Sequence, residues 1–184
     1  SAAFQINRIL AKQIANVSDE ETLRKYLESD VMIIRLAAVR QIRNDELLGQ
    51  IFKSDDNKDI MAAAFANISD EMILKDLAYD SDFARPALER ITDSRMLAEI
   101  ASTHPDIEIR TMAVERIDDL DVLLEMALQN PDPEIRLTAL DGIDDENVLL
   151  EVVKNGYTFE DRLDAISRIT GNENLAALLK SPDW

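Results

Sequence analysis

The apolar positions of this chain recur in blocks, each built on an alanine that is followed at once by an aliphatic or aromatic residue. Four residues beyond each alanine lies an isoleucine, and apolar residues at i, i+1 and i+4 share one face of an α-helix. The alanines are Ala38, Ala64, Ala87, Ala113, Ala139 and Ala165, and the isoleucines are Ile42, Ile68, Ile91, Ile117, Ile143 and Ile169, with Val17 as an earlier member. The pattern predicts one helix, here called helix B, in every block.

A second helix is predicted between successive B helices. Two residues beyond the aliphatic column stand residue types that accept or leave room for the first free N–H groups of a helix. These are Asp19, Asn44, Asp70, Asp93, Asp119, Asp145 and Gly171. Each is followed by a second aliphatic set, helix A, which ends in a polar turn such as Asn130-Pro131-Asp132-Pro133. The predicted unit is therefore helix, turn, helix, turn.

Stacking of these units explains how each pair buries both of its apolar faces. We therefore expect an all-α fold, a right-handed α-α superhelix (solenoid) of about six to seven two-helix repeats, with residues 1-184 as a single domain. The small alanines allow neighbouring helices to approach closely. The step from Ile68 to Ile91 is three residues shorter than its neighbours, and Pro86 lies in that B segment, so we expect a local irregularity there.

Two segments carry a resemblance to a known family. The runs Asp106-Ile107-Glu108-Ile109-Arg110-Thr111-Met112-Ala113-Val114 and Asp132-Pro133-Glu134-Ile135-Arg136-Leu137-Thr138-Ala139-Leu140 resemble the second helix of HEAT-type repeats, with an Asp, an aliphatic-Arg pair and an Ala-aliphatic pair. The resemblance implies a ladder of polar contacts along the stack. The matching arginines are Arg35, Arg110, Arg136 and Arg162. Asp106 and Asp132 stand four residues before two of them, which suits a pair at the helix start.

The charge composition indicates which classes of partner the chain favours. Lys and Arg number 20 against 37 Asp and Glu, for a formal net charge of -17, which repels nucleic acid and anionic membranes and attracts basic protein surfaces. The chain has no cysteine, so we expect no disulfide and a cytoplasmic location. The last residues, Ser181-Pro182-Asp183-Trp184, read as a turn before another helix B, which suggests a fragment of a longer array.

Candidate chemistry is sparse. His104 is the single histidine and is predicted to be a solvated turn residue, because it lacks partners for a metal site. Acidic pairs such as Asp118 with Asp119 fall in recurring turns and are interpreted as helix caps. The run Asp55, Asn57, Asp59 lacks the Gly and the distal Glu of a calcium loop. We expect no metal, no cofactor and no enzyme activity.

One column of residues suggests a binding surface. Three residues beyond the alanines stand Arg90, Arg116 and Arg168, which are predicted to form a basic stripe that recognises an acidic or extended polypeptide. The alternative is that they pair with neighbouring carboxylates. Tyr157 follows Gly156 in a turn that replaces the usual Pro-Asp sequence, and it is predicted to be exposed.

The preferred hypothesis is a non-enzymatic protein-protein interaction or scaffold module that uses its concave helical surface. An alternative is an architectural spacer or oligomerisation arm that associates through its ends, such as the Trp184 edge. The family resemblance also implies a third possibility, an enzyme like the DNA-base glycosylases or chromophore lyases built on similar solenoids, although the net charge opposes DNA binding. The protein partner and the oligomeric state are left open by the sequence.

Overall fold

The computed structural model describes residues 2–80 and 82–180. Within these ranges every regular element is an α-helix, so the predicted all-α class is confirmed. The helices are α1 (Ala2–Ile14), α2 (Glu20–Leu27), α3 (Met32–Val39), α4 (Asp45–Ser54), α5 (Lys58–Asn67), α6 (Glu71–Leu77), α7 (Ala84–Leu88), α8 (Ser94–Thr103), α9 (Ile107–Glu115), α10 (Leu120–Gln129), α11 (Pro133–Asp141), α12 (Glu146–Asn155), α13 (Phe159–Arg168) and α14 (Asn172–Lys180). Odd-numbered helices coincide with the B segments, and even-numbered helices with the A segments.

The chain divides into two compact units, Ser1–Leu74 and Lys75–Trp184. In the first unit, α3 packs against α1, α2 and α5, and α4 packs against α5. In the second unit, α8, α10 and α12 each pack on the B helix that follows. There the successive B helices from α7 to α13 also pack side by side, as do the successive A helices from α8 to α14.

The alanine column lies at the centre of the packing. All six alanines have no exposed surface, and the six isoleucines four residues later are at most 6% exposed. Protein interiors are packed as densely as organic crystals, so a methyl group at these positions fills its site and a larger side chain does not fit without movement. The column identified in the sequence is therefore core.

The predicted helix caps are also found. In each of six A helices a side-chain oxygen of the residue before the helix accepts a backbone N–H of the first turn, which satisfies a donor that has no partner within the helix. The capping residues are Asp19, Asn44, Asp70, Asp93, Asp119 and Asp145. Their recurrence is therefore explained by local hydrogen bonding, as the sequence indicated.

The shortened block corresponds to the shortest described helix. α7 has five residues, and Pro86 is its third residue. A proline in the first turn of a helix is tolerated because the N–H that it lacks has no intrahelical acceptor. The three missing residues are lost from the A helix before α7, because α6 has seven residues where α4, α8, α10 and α12 have ten each. The alanine of α7, Ala87, is still fully buried.

Candidate interaction surface

Four arginines of the B helices hold the preceding turn by the same contact. In each case Nη1 donates to the carbonyl oxygen six residues earlier, at 2.9–3.0 Å. The pairs are Arg35 with Ser29, Arg110 with His104, Arg136 with Asn130 and Arg162 with Gly156. Three of these guanidinium groups also donate to an aspartate about one sequence block ahead, namely Asp55, Asp132 or Asp161. We call these four residues the ladder arginines.

The expected pairing of Asp106 with Arg110, and of Asp132 with Arg136, is wrong. Arg110 Nη2 donates to Asp132 Oδ2 at 2.8 Å, and not to Asp106 four residues before it. The carboxylates of Asp106 and Asp132 accept the backbone N–H of Glu108 and Glu134, respectively, so each caps its own helix. Burial raises the pKa of Asp132, but the Glu134 N–H and the Arg110 guanidinium outweigh it and hold that pKa below its usual value.

The most buried ladder contact involves Arg136. Its side chain is 4% exposed and its Nε donates to Asp161 Oδ2 at 2.9 Å, with Asp161 itself 11% exposed. The Tyr157 ring covers the guanidinium at 4.6 Å from the ring centroid. Tyr157 is 61% exposed, so its predicted exposure is confirmed, and its ring contacts a ladder arginine.

The prediction that His104 is a solvated turn residue is wrong. His104 is 6% exposed. The backbone N–H of Asp106 donates to Nδ1 at 3.1 Å, so Nδ1 is the acceptor and Nε2 carries the proton that is donated to the Ala78 carbonyl oxygen, also at 3.1 Å. The ring also stacks on Tyr79, with 4.9 Å between ring centroids.

His104 occupies the place of a missing ladder arginine. Ala84 stands at the ladder position of the shortened block, and the carbonyl six residues before it belongs to Ala78. Since the Ala84 side chain has no hydrogen-bond donor, the Ala78 carbonyl receives its hydrogen bond from His104 of the next block instead. Ala78 is fully buried, and a buried carbonyl without a donor is costly. His104 therefore has a structural role.

A turn column in the sequence could have revealed this role. The residues six before the ladder positions include Ser29, Asp55, His104 and Asn130, and each accepts the backbone N–H two residues later on its own side chain, at 2.9–3.2 Å. Side chains that close such turns replace a backbone acceptor. Aligning these four positions indicates a common turn contact, which the isolated histidine does not.

Two members of the predicted arginine column, Arg116 and Arg168, contact the preceding block. Arg116 Nη2 donates to the carbonyls of Glu89 and Ile91 at 3.0 and 3.1 Å. Arg168 contacts the carboxylates of Asp164 and Asp141. Arg168 therefore pairs with carboxylates, as the alternative interpretation of the column predicts, whereas Arg116 binds backbone carbonyls of the preceding block.

The column keeps part of its donor capacity. Arg116 is exposed, and within residues 2–80 and 82–180 its Nε and Nη1 have no hydrogen bond. Arg168 is half-buried, as is Arg90. In the first unit Asn67, at the equivalent position, donates to the carbonyls of Val39 and Arg40 at 3.2 Å. The use of this column to bind the preceding helix end therefore recurs in both units.

Glu146 is a second link between blocks. Its carboxylate accepts the backbone N–H and hydroxyl of Thr170, the N–H of Gly171 and the amide of Asn174, at 2.8–2.9 Å for the shortest contact of each. The Thr170 N–H, then the Asn174 amide, the Thr170 hydroxyl and the Gly171 N–H lower the pKa of Glu146 to about 2. The ionised Glu146 carboxylate thus accepts hydrogen bonds from the donors at the start of α14.

The outward side of three B helices carries exposed apolar side chains that the sequence reasoning missed. Ile107 is 37% exposed, Leu137 47%, Phe159 61% and Leu163 49%. They lie on α9, α11 and α13, whose other faces supply the core residues. The signal was available as apolar residues that fall outside the alanine-centred face, in segments where a solvated helix carries polar residues.

The cleft between α8 and α10 is lined by side chains that contact one another. One cavity of about 330 Å³ lies between α8 and α10, and several of its polar side chains are paired with one another. Arg95 is bonded to Glu125, and Asn130 Nδ2 donates to the Ser102 hydroxyl at 3.2 Å. Across the described ranges no group of three or more His, Cys, Asp or Glu side chains could hold a metal ion. Asn57, in the run considered for calcium, caps α5.

No helix within these ranges has the length and apolar character needed to cross a membrane. Comparison of the chain with protein-family models, with curated proteins and with solved structures gives no match. Any assignment of function therefore rests on the arrangement of the chain's own side chains.

Proposed function

We propose that this chain is a non-enzymatic protein-protein interaction or scaffold module, built as a solenoid of HEAT-like two-helix repeats and binding its partner on the exposed face of the B helices. The observation that carries the binding proposal is the exposed apolar group on α9, α11 and α13. Monomeric proteins expose single apolar residues freely, but a contiguous group on one face is typical of an interaction site.

The regular contacts between blocks support the solenoid. Ladder arginines reach one block ahead, and Asn67 and Arg116 each reach back to carbonyls at the end of an earlier B helix. Contacts that repeat between neighbouring units are what a repeat array needs, because each unit is stabilised mainly by its neighbours. The absence of cysteine keeps the cytoplasm as the proposed compartment.

The arginine column stays a predicted second contact for an acidic or extended polypeptide. Arg116 and Arg168 lie at the C-terminal ends of α9 and α13, while Ile107 and Phe159 lie at their N-terminal ends. Arg→Gln at 90, 116 and 168 removes the positive charge and keeps an amide donor that can reach a carbonyl. If a captured partner is lost in this variant while its melting temperature is kept, the column belongs to the interface.

The proposal is tested by site-specific photo-crosslinking in cells of the source organism. A benzoylphenylalanine at Leu163 reports the B face, and one at Leu120 on α10, which is 41% exposed, is the matched control on an A helix. A protein crosslinked from position 163 and absent from position 120 supports the interaction module. Equal crosslinking from both, or none from position 163, contradicts it.

A second candidate function is an oligomerisation arm, which the exposed residues of α1 favour. Phe4, Ile6 and Ile9 are 56–61% exposed on that helix. The Trp184 edge, predicted as the other end contact, lies outside the described residues. Crosslinking from position 9 to a second copy of the chain, with none from position 163, indicates the arm.

A further inference from the structure

Exposed apolar side chains lie on three successive B helices, α9, α11 and α13. Ile107 and Phe159 are the first residues of α9 and α13, and Leu137 and Leu163 are the fifth residues of α11 and α13. Leu137 and Leu163 hold equivalent positions on α11 and α13, which pack against each other, and Phe159 lies one turn before Leu163. Ile107 lies on α9, which packs against α11 as well. These four residues are called the apolar patch.

A row of carboxylates runs beside the apolar patch. Glu108, Glu134 and Glu160 are the second residues of the same three helices, and all are exposed. Glu108 pairs with Arg85 at 2.8 Å, whereas among the described residues no ion pair involves Glu134 or Glu160. The Arg162 guanidinium lies over the Phe159 ring, 5.9 Å from its centroid. The negative charge beside the patch therefore comes from Glu134 and Glu160 and from the net charge of -17 of the whole chain.

We propose that the apolar patch docks a basic amphipathic α-helix of a partner protein, with leucine-like residues on one side and lysine or arginine beside them. This inference rests on the interaction function proposed above and names the chemistry of the partner. Neighbouring B helices pack about 8–10 Å apart, and residues i and i+7 of a helix are about 10 Å apart along its axis. One partner helix that crosses the B helices therefore places successive apolar residues over successive members of the patch, a known mode of recognition.

Charge argues against the other occupants. A second copy of this chain and an anionic lipid surface both bring negative charge to the carboxylate row, and like charges across an interface are repelled. A basic segment has the opposite effect, because its cations meet Glu134 and Glu160 at the rim while its apolar side covers the patch. Rim charges of this kind mainly increase the association rate and give a dependence on salt.

The test uses a synthetic probe and the full chain. The probe is a fluorescein-labelled helical peptide of about 15 residues, with leucine at i, i+3, i+4 and i+7 and lysine beside them. Two matched peptides carry glutamate in place of lysine, or the same residues in scrambled order. Fluorescence anisotropy should show that the amphipathic lysine peptide binds at least about tenfold more tightly than either. Equal binding of the scrambled peptide overturns the proposal, because it indicates attraction by net charge alone.

Variants then locate the site. Leu137→Ser with Leu163→Ser, and separately Glu134→Gln with Glu160→Gln, should each weaken the probe about tenfold. Leu120→Ser and Glu173→Gln are the matched controls on A helices and should leave binding unchanged. Circular dichroism melts show whether each variant is folded. Weakening in the controls equal to that in the patch variants contradicts the proposed location.

The crosslinking experiment separates this inference from the function on which it rests. If position 163 captures a protein in cells but the lysine probe shows no preference, the interaction function stands and the basic helical partner is wrong. If the probe binds at the patch but position 163 captures nothing in cells, the binding chemistry stands and the proposed function fails.

Discussion

Removal of the His104 side chain should destabilise the second unit more than its position in a polar turn suggests. In the folded chain Nε2 donates to the Ala78 carbonyl and Nδ1 accepts the Asp106 N–H, both at 3.1 Å. His104→Ala leaves both backbone groups without these partners. It also removes the ring that stacks on Tyr79.

The expected loss follows from these contacts. A buried polar group left without a partner costs about 1–3 kcal/mol, and Ala78 is fully buried, so water does not replace the lost donor. The Asp106 N–H is closer to solvent and adds less. With the packing lost by truncating the ring, His104→Ala should lower the free energy of unfolding by about 2–4 kcal/mol.

His104→Asn is the matched control, because Asn130 occupies the equivalent turn position and its Oδ1 accepts the N–H two residues later. The asparagine keeps the acceptor and loses the reach to Ala78, so its cost should be about 1 kcal/mol smaller than that of the alanine variant. Urea unfolding followed by circular dichroism measures both. A value for His104→Ala within about 0.5 kcal/mol of the unmodified chain refutes the assignment of His104 to the Ala78 carbonyl.

The same reasoning gives a compensating change. An arginine at Ala84 stands six residues after Ala78 and 22 before Asp106, the offsets at which Arg110 meets the His104 carbonyl and Asp132. Ala84→Arg in the His104→Ala background should therefore recover about 1 kcal/mol. Additive losses in the double variant contradict the view that His104 replaces a ladder arginine.

Three further substitutions test the contacts between blocks, each by urea unfolding of the full chain. Arg136→Ala should cost about 3–5 kcal/mol, because it leaves the poorly exposed Asp161 carboxylate without its guanidinium; a cost below about 1 kcal/mol contradicts this. Glu146→Gln should lower the free energy of unfolding above about pH 4.5, and by progressively less toward pH 2. The reason is that a carboxylate whose pKa is lowered by folding contributes stability that is lost when the pH falls through that pKa. A difference in the free energy of unfolding that does not change with pH contradicts this. Ala113→Leu should cost about 1–3 kcal/mol by overpacking, whereas Ala176→Leu on the exposed side of α14 should cost little.

The helices and their core could be predicted from the sequence because both depend on short-range periodicity. The alanine and isoleucine columns repeat in register, and all six alanines and all six isoleucines are buried in the structure. The caps at Asp119 and Asp145 were equally accessible, because the hydrogen bonds of an N-cap join residues two or three positions apart.

Contacts between blocks were harder to predict from the sequence. Arg110 has a carboxylate four residues before it and another 22 residues after it, and sequence spacing favours the nearer one. The structure selects the farther one, Asp132, whose Oδ1 caps its own helix while its Oδ2 accepts Arg110. His104 was misjudged for the same reason, since its acceptor is 26 residues away in an earlier turn.

The apolar patch was missed for a different reason, and this affects how its role is argued. The periodicity of apolar residues identifies the helix face that is buried within the same chain. Apolar residues on a second face only weaken that periodic pattern, so they are not recognised as a face of their own. In α9 and α11 the buried residues Ile109 and Ile135 stand two residues after position 107 or before position 137, on another side of the helix. Two apolar faces on one helix can pack against two surfaces, and residues 2–80 and 82–180 supply only one of them. The exposure of Leu137 and Leu163 is therefore the basis on which we propose a partner, because neither side chain is needed to complete the core.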